Sequence, residues 1–163
     1  MIFGMSVALF TTIHVLISLA AILAGFVVVF GMLRNRHSGL WAAIYLVLIA
    51  LTSLTGYPIP PLGFDPPRIV GTISLVLIIM AIAGLYVFHL GGVWRGIYVV
   101  TVTAALYLDC FVGAVQAFAK IPALHALAPT QSSPVFGIAQ LAVLAIFVLL
   151  GFLGVRRFHP AAV

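Results

Sequence analysis

The fold is decided by residues 97–119, which run IYVVTVTAALYLDCFVGAVQAFA and contain a single charged residue, Asp109. A helix of this length crosses the roughly 30 Å hydrocarbon core of a bilayer, because each helical residue rises about 1.5 Å. A carboxylate inside that core costs about 2.5–3.5 kcal/mol on insertion scales. Asp109 therefore needs a partner, a bound proton, a water-filled cavity or a function that offsets this cost.

The composition of the whole chain indicates a lipid environment. Of its 163 residues, 65% are hydrophobic and 6% are charged, and the mean hydropathy is +1.37. Soluble domains carry about 25% charged residues, so a soluble fold is excluded and the bilayer is the expected surrounding. The net charge of +5 comes from basic residues scattered at the ends of apolar runs. These make no basic face, which argues against nucleic acid as a partner.

Five apolar runs predict an all-α membrane protein, a bundle of five transmembrane helices in one domain over residues 1–163. Strands are not expected, because only a closed barrel with alternating polar and apolar residues satisfies strand backbones in lipid. The first run follows no basic segment and no small-residue cleavage site, so it is expected to remain a span rather than a signal peptide. The predicted spans are residues 6–33, 40–56, 68–90, 93–119 and 135–155.

The connections between the runs carry their own signals. Gly91 and Gly92 break the third helix from the fourth and predict a tight antiparallel pair. Residues 57–67 contain five prolines and are expected to be non-helical. Within the longest loop, residues 120–134, a short interfacial helix is expected at residues 123–128.

The basic residues predict the orientation of the bundle. Five arginines fall on one side, whereas Arg68 and Lys120 fall on the other. The side with more basic residues faces the cytoplasm, so the N-terminus is predicted outside and the C-terminus inside. The two ends are called the predicted outer and predicted inner ends below. The five arginines are Arg34, Arg36, Arg95, Arg156 and Arg157.

Polar side chains gather in the predicted outer half of all five helices. The inner half is nearly free of them, with Tyr98, Thr101 and Thr103 as the main exceptions. Helix faces rich in small and polar residues pack against other helices, so these side chains are expected to point inward. The pattern predicts an outward-facing pocket that binds a small or lipid-like molecule. Its predicted ligand-binding residues are His14, Ser18, Tyr107, Asp109, Gln116 and Gln140.

His14 and Asp109 lie at comparable predicted depth on faces that both point inward. We expect them to form a pair between the first and fourth helices. One interpretation is a structural hydrogen bond between helices, worth about 0.6–2 kcal/mol. The other is a functional site, because ionisable groups inside a membrane mark ligand or ion pathways. The sequence leaves both interpretations open.

Cofactor and metal sites are less favoured by the sequence. Haem b needs two histidines at one depth on neighbouring helices, and His14 has no such partner. A metal at His14 and Asp109 would need a third ligand, for which Gln116, Gln140 and Tyr107 are weak candidates. The single cysteine excludes a disulfide within the chain, and no HExxH, GxSxG or Walker motif is present. No cofactor and no metal are predicted, and the question of catalysis stays open.

Residues 95–101 (RGIYVVT) and 122–131 (PALHALAPTQ) resemble stretches of small multi-span bacterial inner-membrane proteins to which no activity is assigned. The resemblance implies a location in the bacterial inner membrane and adds no mechanism. Two hypotheses therefore remain. The chain is a pocket protein, with transport as one use of the pocket, or it is a structural or accessory subunit of a membrane complex or homo-oligomer without a ligand.

Overall fold

The computed structural model describes residues 1–60, 63 and 65–160. These residues form helices joined by turns, and no strand is present among them. The third helix continues into a π-helical turn, Ala83–Val87. The helices are α1 (Val7–Leu33), α2 (Gly39–Gly56), α3 (Pro66–Ile82), α4 (Val93–Lys120), α5 (Pro122–Leu127) and α6 (Pro134–Arg157).

Five of these elements are long and apolar enough to cross a membrane, which confirms the prediction of five helices that could span a bilayer. They are α1, α2, α3 with its π-helical turn, α4 and α6. The short α5 lies one residue before its predicted position. The arrangement is that of an integral membrane protein with several spans, and the orientation of its termini stays a prediction.

The start of α3 corrects the expectation that residues 57–67 are entirely non-helical. Pro66 and Pro67 occupy the first turn of the helix. Proline is accepted there because the N–H groups of a first turn have no partner within the helix. Asp65 caps this turn by accepting a hydrogen bond from the Arg68 N–H at 3.2 Å. Residues 61, 62 and 64 of the proline-rich loop lie outside the described residues.

The π-helical turn that continues α3 ends at Val87, before the predicted limit at residue 90. His89 and Leu90 adopt φ angles of +45° and +57°, which end the helix in a left-handed turn. Gly92 follows with a φ of +51° and precedes the first residue of α4. The predicted break at the two glycines and the antiparallel pair of α3 and α4 are therefore present.

The turn between α1 and α2 is a glycine-free Schellman-type cap. Asn35 takes the left-handed conformation with φ +54°, and the Arg36 N–H donates to the Gly31 carbonyl at 2.9 Å. The Asn35 Oδ1 also accepts a hydrogen bond from the His159 N–H at 2.7 Å. The chain at His159 is thereby held against this turn.

The buried core is centred on α4, which packs against α1, α3 and α6. Its largest fully buried side chains include Tyr45, Tyr98 and Phe158. Gly25 allows the close approach of three helices, since a Cβ there would lie 2.6 Å from Leu106 Cδ1 and 2.8 Å from Tyr45 Cε2. This contact of Gly25 with Tyr45 and Leu106 lies between the two halves of the bundle and sets the register of α1 against α2 and α4.

Candidate functional site

Asp109 lies in the part of α4 that faces the interior of the bundle. The register of its neighbours follows from Tyr45 on α2, whose hydroxyl donates to the Val102 carbonyl of α4 at 3.1 Å. Seven residues further along these two parallel helices stand Thr52 and Asp109, two turns or about 10.5 Å toward the predicted outer end. The two residues therefore lie at the same depth along the bundle, within about one helical turn.

Two further hydroxyl residues lie at this depth. Ser53 is adjacent to Thr52, and its carbonyl oxygen lies 3.7 Å from the Cβ position of Gly71 on α3. Ser74 stands one turn further along α3 and is 1% exposed. We call Thr52, Ser53, Ser74 and Asp109 the Asp109 layer. Thr52 and Ser53 are also buried, whereas Asp109 is partly exposed.

The Asp109 carboxyl is incompletely satisfied. Its Oδ2 atom is buried and has no hydrogen-bond partner among the described residues. An unsatisfied buried acceptor costs about 1–3 kcal/mol, and more if it is charged. The other acid of the chain, Asp65, instead accepts from the Arg68 guanidinium at 2.6 Å. Asp109 is therefore the acid for which a partner is still required.

His14 does not pair with Asp109, so this expectation is wrong. The His14 Nδ1 is hydrogen-bonded to the Thr55 Oγ1 of α2 at 2.8 Å. The reason is that the face of α1 that carries His14 points toward α2 rather than toward α4. Depth along the helices was predictable, but α1 packs more extensively on α2 than on α4. Its hydrogen-bond partner is therefore a threonine hydroxyl.

The other predicted site residues occupy separate settings. Ser18 donates its hydroxyl to the His14 carbonyl within α1 at 2.9 Å, and Gln116 is exposed on α4. Gln140 donates from Nε2 to the Phe111 carbonyl at 3.2 Å, which joins α6 to α4. Its Oε1 atom is buried without a partner in the described part of the chain. The role of these residues as ligand contacts stays a prediction.

Tyr107 belongs to the aromatic packing between α4 and α6. Its ring centroid lies 6.1 Å from that of Phe111 and 5.8 Å from that of Phe147. These separations are those of ordinary aromatic pairs. The six predicted residues thus divide between the α1–α2 contact, the interior at Asp109, the α4–α6 contact and the exposed end of α4.

Two cavities lie at the predicted inner end, away from the polar cluster. The first, of about 490 Å³, is lined by Arg34, Arg36, His37, Trp41 and Tyr98 together with apolar residues of α1. The second, of about 570 Å³, lies beside the first turns of α4. None of the six predicted site residues lines either cavity. The sequence showed where the polar residues lie, whereas the two cavities at the predicted inner end result from how the helices pack.

Tyr98 was not among the site residues predicted from the sequence. Its hydroxyl is buried and, within the described residues, has no hydrogen-bond partner. The same holds for the Thr103 hydroxyl and for the Arg95 Nε atom. The signal was the presence of Tyr98 and Thr103 in an otherwise apolar inner half. Nothing in the sequence indicated that a cavity would open beside Tyr98.

Comparison with known proteins adds no identification. No family model, characterised protein or solved structure matches the chain. Across residues 1–60, 63 and 65–160, no group of three or more His, Cys, Asp or Glu side chains is placed to hold a metal ion. The features of the described chain that bear on function are five helices able to span a membrane and the buried polar atoms without partners between them.

Proposed function

We propose that this chain is an integral protein of the bacterial inner membrane that binds a small or lipid-like molecule at the Asp109 layer. The ligand enters from the predicted outer end of the bundle. The observation that carries the proposal is the buried Asp109 Oδ2 atom, which has no hydrogen-bond partner among the described residues. Ionisable groups inside a membrane are costly, and they mark ligand or ion pathways.

The hydrogen-bonding state of the layer indicates the chemistry of this ligand. The Thr52 hydroxyl donates to the Leu48 carbonyl, and the Ser53 hydroxyl donates to the Ile49 carbonyl, both at 3.0 Å. Each hydroxyl carries one hydrogen, so Thr52 and Ser53 have only acceptor capacity left. A layer rich in acceptors favours a ligand that supplies donors, such as an amine or an alcohol.

A transport role is one use of such a site. It would require a path from Asp109 to the predicted inner end. Tyr45, Tyr98 and Leu106 are fully buried along this direction and fill the interior between the helices. A transporter would have to move these side chains, whereas a sensor or a membrane enzyme would bind its ligand from the outer side alone.

The test is native mass spectrometry of the full chain purified in a mild detergent, followed by thermal unfolding with a panel of amines and alcohols. Asp109→Asn should lose a co-purified species and at least most of any ligand-induced shift. Asp65→Asn is the matched control, because asparagine also caps a helix and this acid is already paired. Equal binding and equal thermal shifts in Asp109→Asn and the wild type would refute the proposal.

The alternative is a structural or accessory subunit of a membrane complex or homo-oligomer. Two observations favour it: Gln116 is exposed on α4, and only 17% of the most apolar stretch of α6 is buried. A neighbouring subunit would cover both. On this alternative Asp109→Asn changes stability or assembly mass without changing any bound species.

A Soret absorption band in the same preparation would instead support the haem b hypothesis.

A further inference from the structure

The first cavity is built by three parts of the chain at the predicted inner end. The last turns of α1 form its apolar wall, where Val27 and Phe30 are 43% and 48% exposed. The turn after α1 contributes Arg34 and Arg36. Its volume of about 490 Å³ is typical of cavities that hold small molecules. It therefore combines a lipid-facing apolar wall with a basic rim.

Among the described residues, no side-chain carboxylate balances the charge of this rim. The chain has two acids, and neither is near the rim. Asp65 is paired with Arg68 at the opposite end, and Asp109 lies in the middle of α4. Neither Arg34 nor Arg36 has a carboxylate partner among the described residues. Guanidinium groups bind phosphate through paired hydrogen bonds, so this rim favours a phosphate-bearing anion.

Tyr98 supplies a second and independent observation. It lies on the cavity wall, is 0% exposed, and its buried hydroxyl has no hydrogen-bond partner among the described residues. Phe158 packs against its ring at 6.2 Å and is held in place by the adjacent His159 backbone contact to Asn35. The hydroxyl is therefore a fixed donor that lacks an acceptor.

We propose that this cavity binds the phosphate headgroup of an anionic phospholipid. Arg34 and Arg36 bind the phosphate oxygens, and the Tyr98 hydroxyl donates to a hydroxyl oxygen of the headgroup, a group that phosphatidylcholine lacks. An acyl chain lies along Val27 and Phe30, which face lipid. This continuity with the lipid-facing surface favours a phospholipid over a free phosphate. The site is separate from the Asp109 layer, which lies toward the other end and favours donors rather than acceptors.

Trp41 lines the same cavity and provides a local probe. Trp94 stacks on Phe88 at 3.9 Å, so Trp94→Phe keeps an aromatic pair and leaves Trp41 as the sole tryptophan. The full chain carrying this change is placed in phosphatidylcholine vesicles. Quenching of Trp41 by brominated phosphatidylglycerol is compared with quenching by brominated phosphatidylcholine. The ratio of the two binding constants measures the preference for the anionic headgroup.

We expect a preference of about tenfold, which corresponds to about 1.4 kcal/mol. The double variant Arg34→Gln, Arg36→Gln should abolish it, and Tyr98→Phe should reduce it about threefold, or about 0.65 kcal/mol. Tyr98→Phe removes only an unpartnered hydroxyl, so folding should be preserved. The matched control, Arg156→Gln with Arg157→Gln, removes the same charge at the same end outside the cavity and should keep the preference.

Three results would overturn the proposal. An equal loss in the Arg156 and Arg157 control would show that general surface charge attracts the lipid. An unchanged preference in Tyr98→Phe would remove the buried hydroxyl from the site. Competition by millimolar inorganic phosphate that abolishes the difference between the lipids would identify free phosphate, rather than a phospholipid, as the ligand.

Discussion

The predicted outer half of the bundle is polar in sequence, whereas the predicted inner half is apolar, yet the largest buried side chains and both described cavities lie toward the inner end. In the outer half, most hydroxyls donate to carbonyls of their own helices. Buried groups without a partner in the described chain occur in both halves, at Asp109 and Gln140 in the outer half and at Tyr98 and Thr103 in the inner half. The difference shows that polarity marks where hydrogen bonds are needed, but packing decides where space and unsatisfied groups remain.

Gly25, at the contact between the two halves, should be the position where a substitution lowers stability most. Gly25→Leu would place atoms where Leu106 and Tyr45 already lie 2.6 and 2.8 Å from the Cβ position. We expect a loss of about 3 kcal/mol in the free energy of unfolding, at the upper end of usual overpacking costs. Gly137→Leu is the control, because no neighbouring atom lies within 4 Å of its Cβ position. Equal losses measured by unfolding in mixed micelles would contradict the close approach at Gly25.

The described part of the proline-rich loop is held to the start of α3 by hydrogen bonds from Arg68. Arg68 donates to the carbonyls of Tyr57 and Ile59 and to the Asp65 carboxylate. Because hydrogen bonds that involve a charge are stronger than neutral ones, Arg68→Ala should lower the free energy of unfolding by about 2 kcal/mol. Thermal unfolding measures the effect. Lys120→Ala, an exposed cation at the same end, is the control, and a similar loss there would mean that charge alone is responsible.

A substitution at Asp109 should change stability and ligand binding in opposite directions. Asp109→Leu removes a buried acceptor that has no partner among the described residues, so the ligand-free protein should gain about 1 kcal/mol of stability. The same variant should lose the ligand of the Asp109 layer. Thermal unfolding of ligand-free samples, together with native mass spectrometry, tests both. A destabilised variant would indicate that Asp109 has a structural partner, as the accessory-subunit alternative requires.

The His14–Thr55 hydrogen bond predicts a smaller effect. A double-mutant cycle with His14→Phe and Thr55→Val should give a coupling energy of about 0.6 kcal/mol, the average for hydrogen bonds between membrane helices. A second cycle with His14→Phe and Asp109→Leu should give a coupling close to zero. A larger coupling in the second cycle would restore the His14–Asp109 pair that the sequence predicted.

His37 provides the smallest and most local test of the predicted inner end. Burial lowers the pKa of its imidazole below the ordinary value of 6.5. The fold therefore favours the neutral form, and its stabilising contribution is present above pH 6.5 and is lost as the pH falls through the lower value. The decrease in melting temperature between pH 7.5 and 5.5 should be smaller in His37→Gln than in the wild type. An identical decrease would contradict the burial of this ring.

The spans were predictable because hydropathy and length decide them without reference to neighbours. Even the errors at helix ends have local causes. Pro66 and Pro67 begin α3 because a first turn accepts proline, and Asp65 caps that turn. The left-handed residues His89 and Leu90 end the same helix earlier than apolarity suggested. These corrections shift boundaries by two or three residues and leave the number of membrane-spanning helices unchanged.

The candidate site was only partly predictable. The position of Asp109 in an apolar helix identified an acid whose burial must be offset, because this cost depends on depth and not on a particular neighbour. The partner of His14 was predicted wrongly, because helical periodicity gives the face of a side chain but not the helix that covers it. Tyr98 was noticed only as an exception to an apolar pattern. Its importance depends on a cavity that no periodicity reveals.

The sequence by itself determined the membrane class, the five spans and the polar residues in the predicted outer half, because these follow from transfer free energies and helical rise. Only the tertiary structure decided that His14 bonds to Thr55, that Asp109 keeps a buried acceptor free of described partners, and that arginines and Tyr98 share a cavity. The physical reason is that helix rotation and close approach depend on side-chain packing between distant segments. Gly25 against Leu106 and Tyr45 is the clearest case.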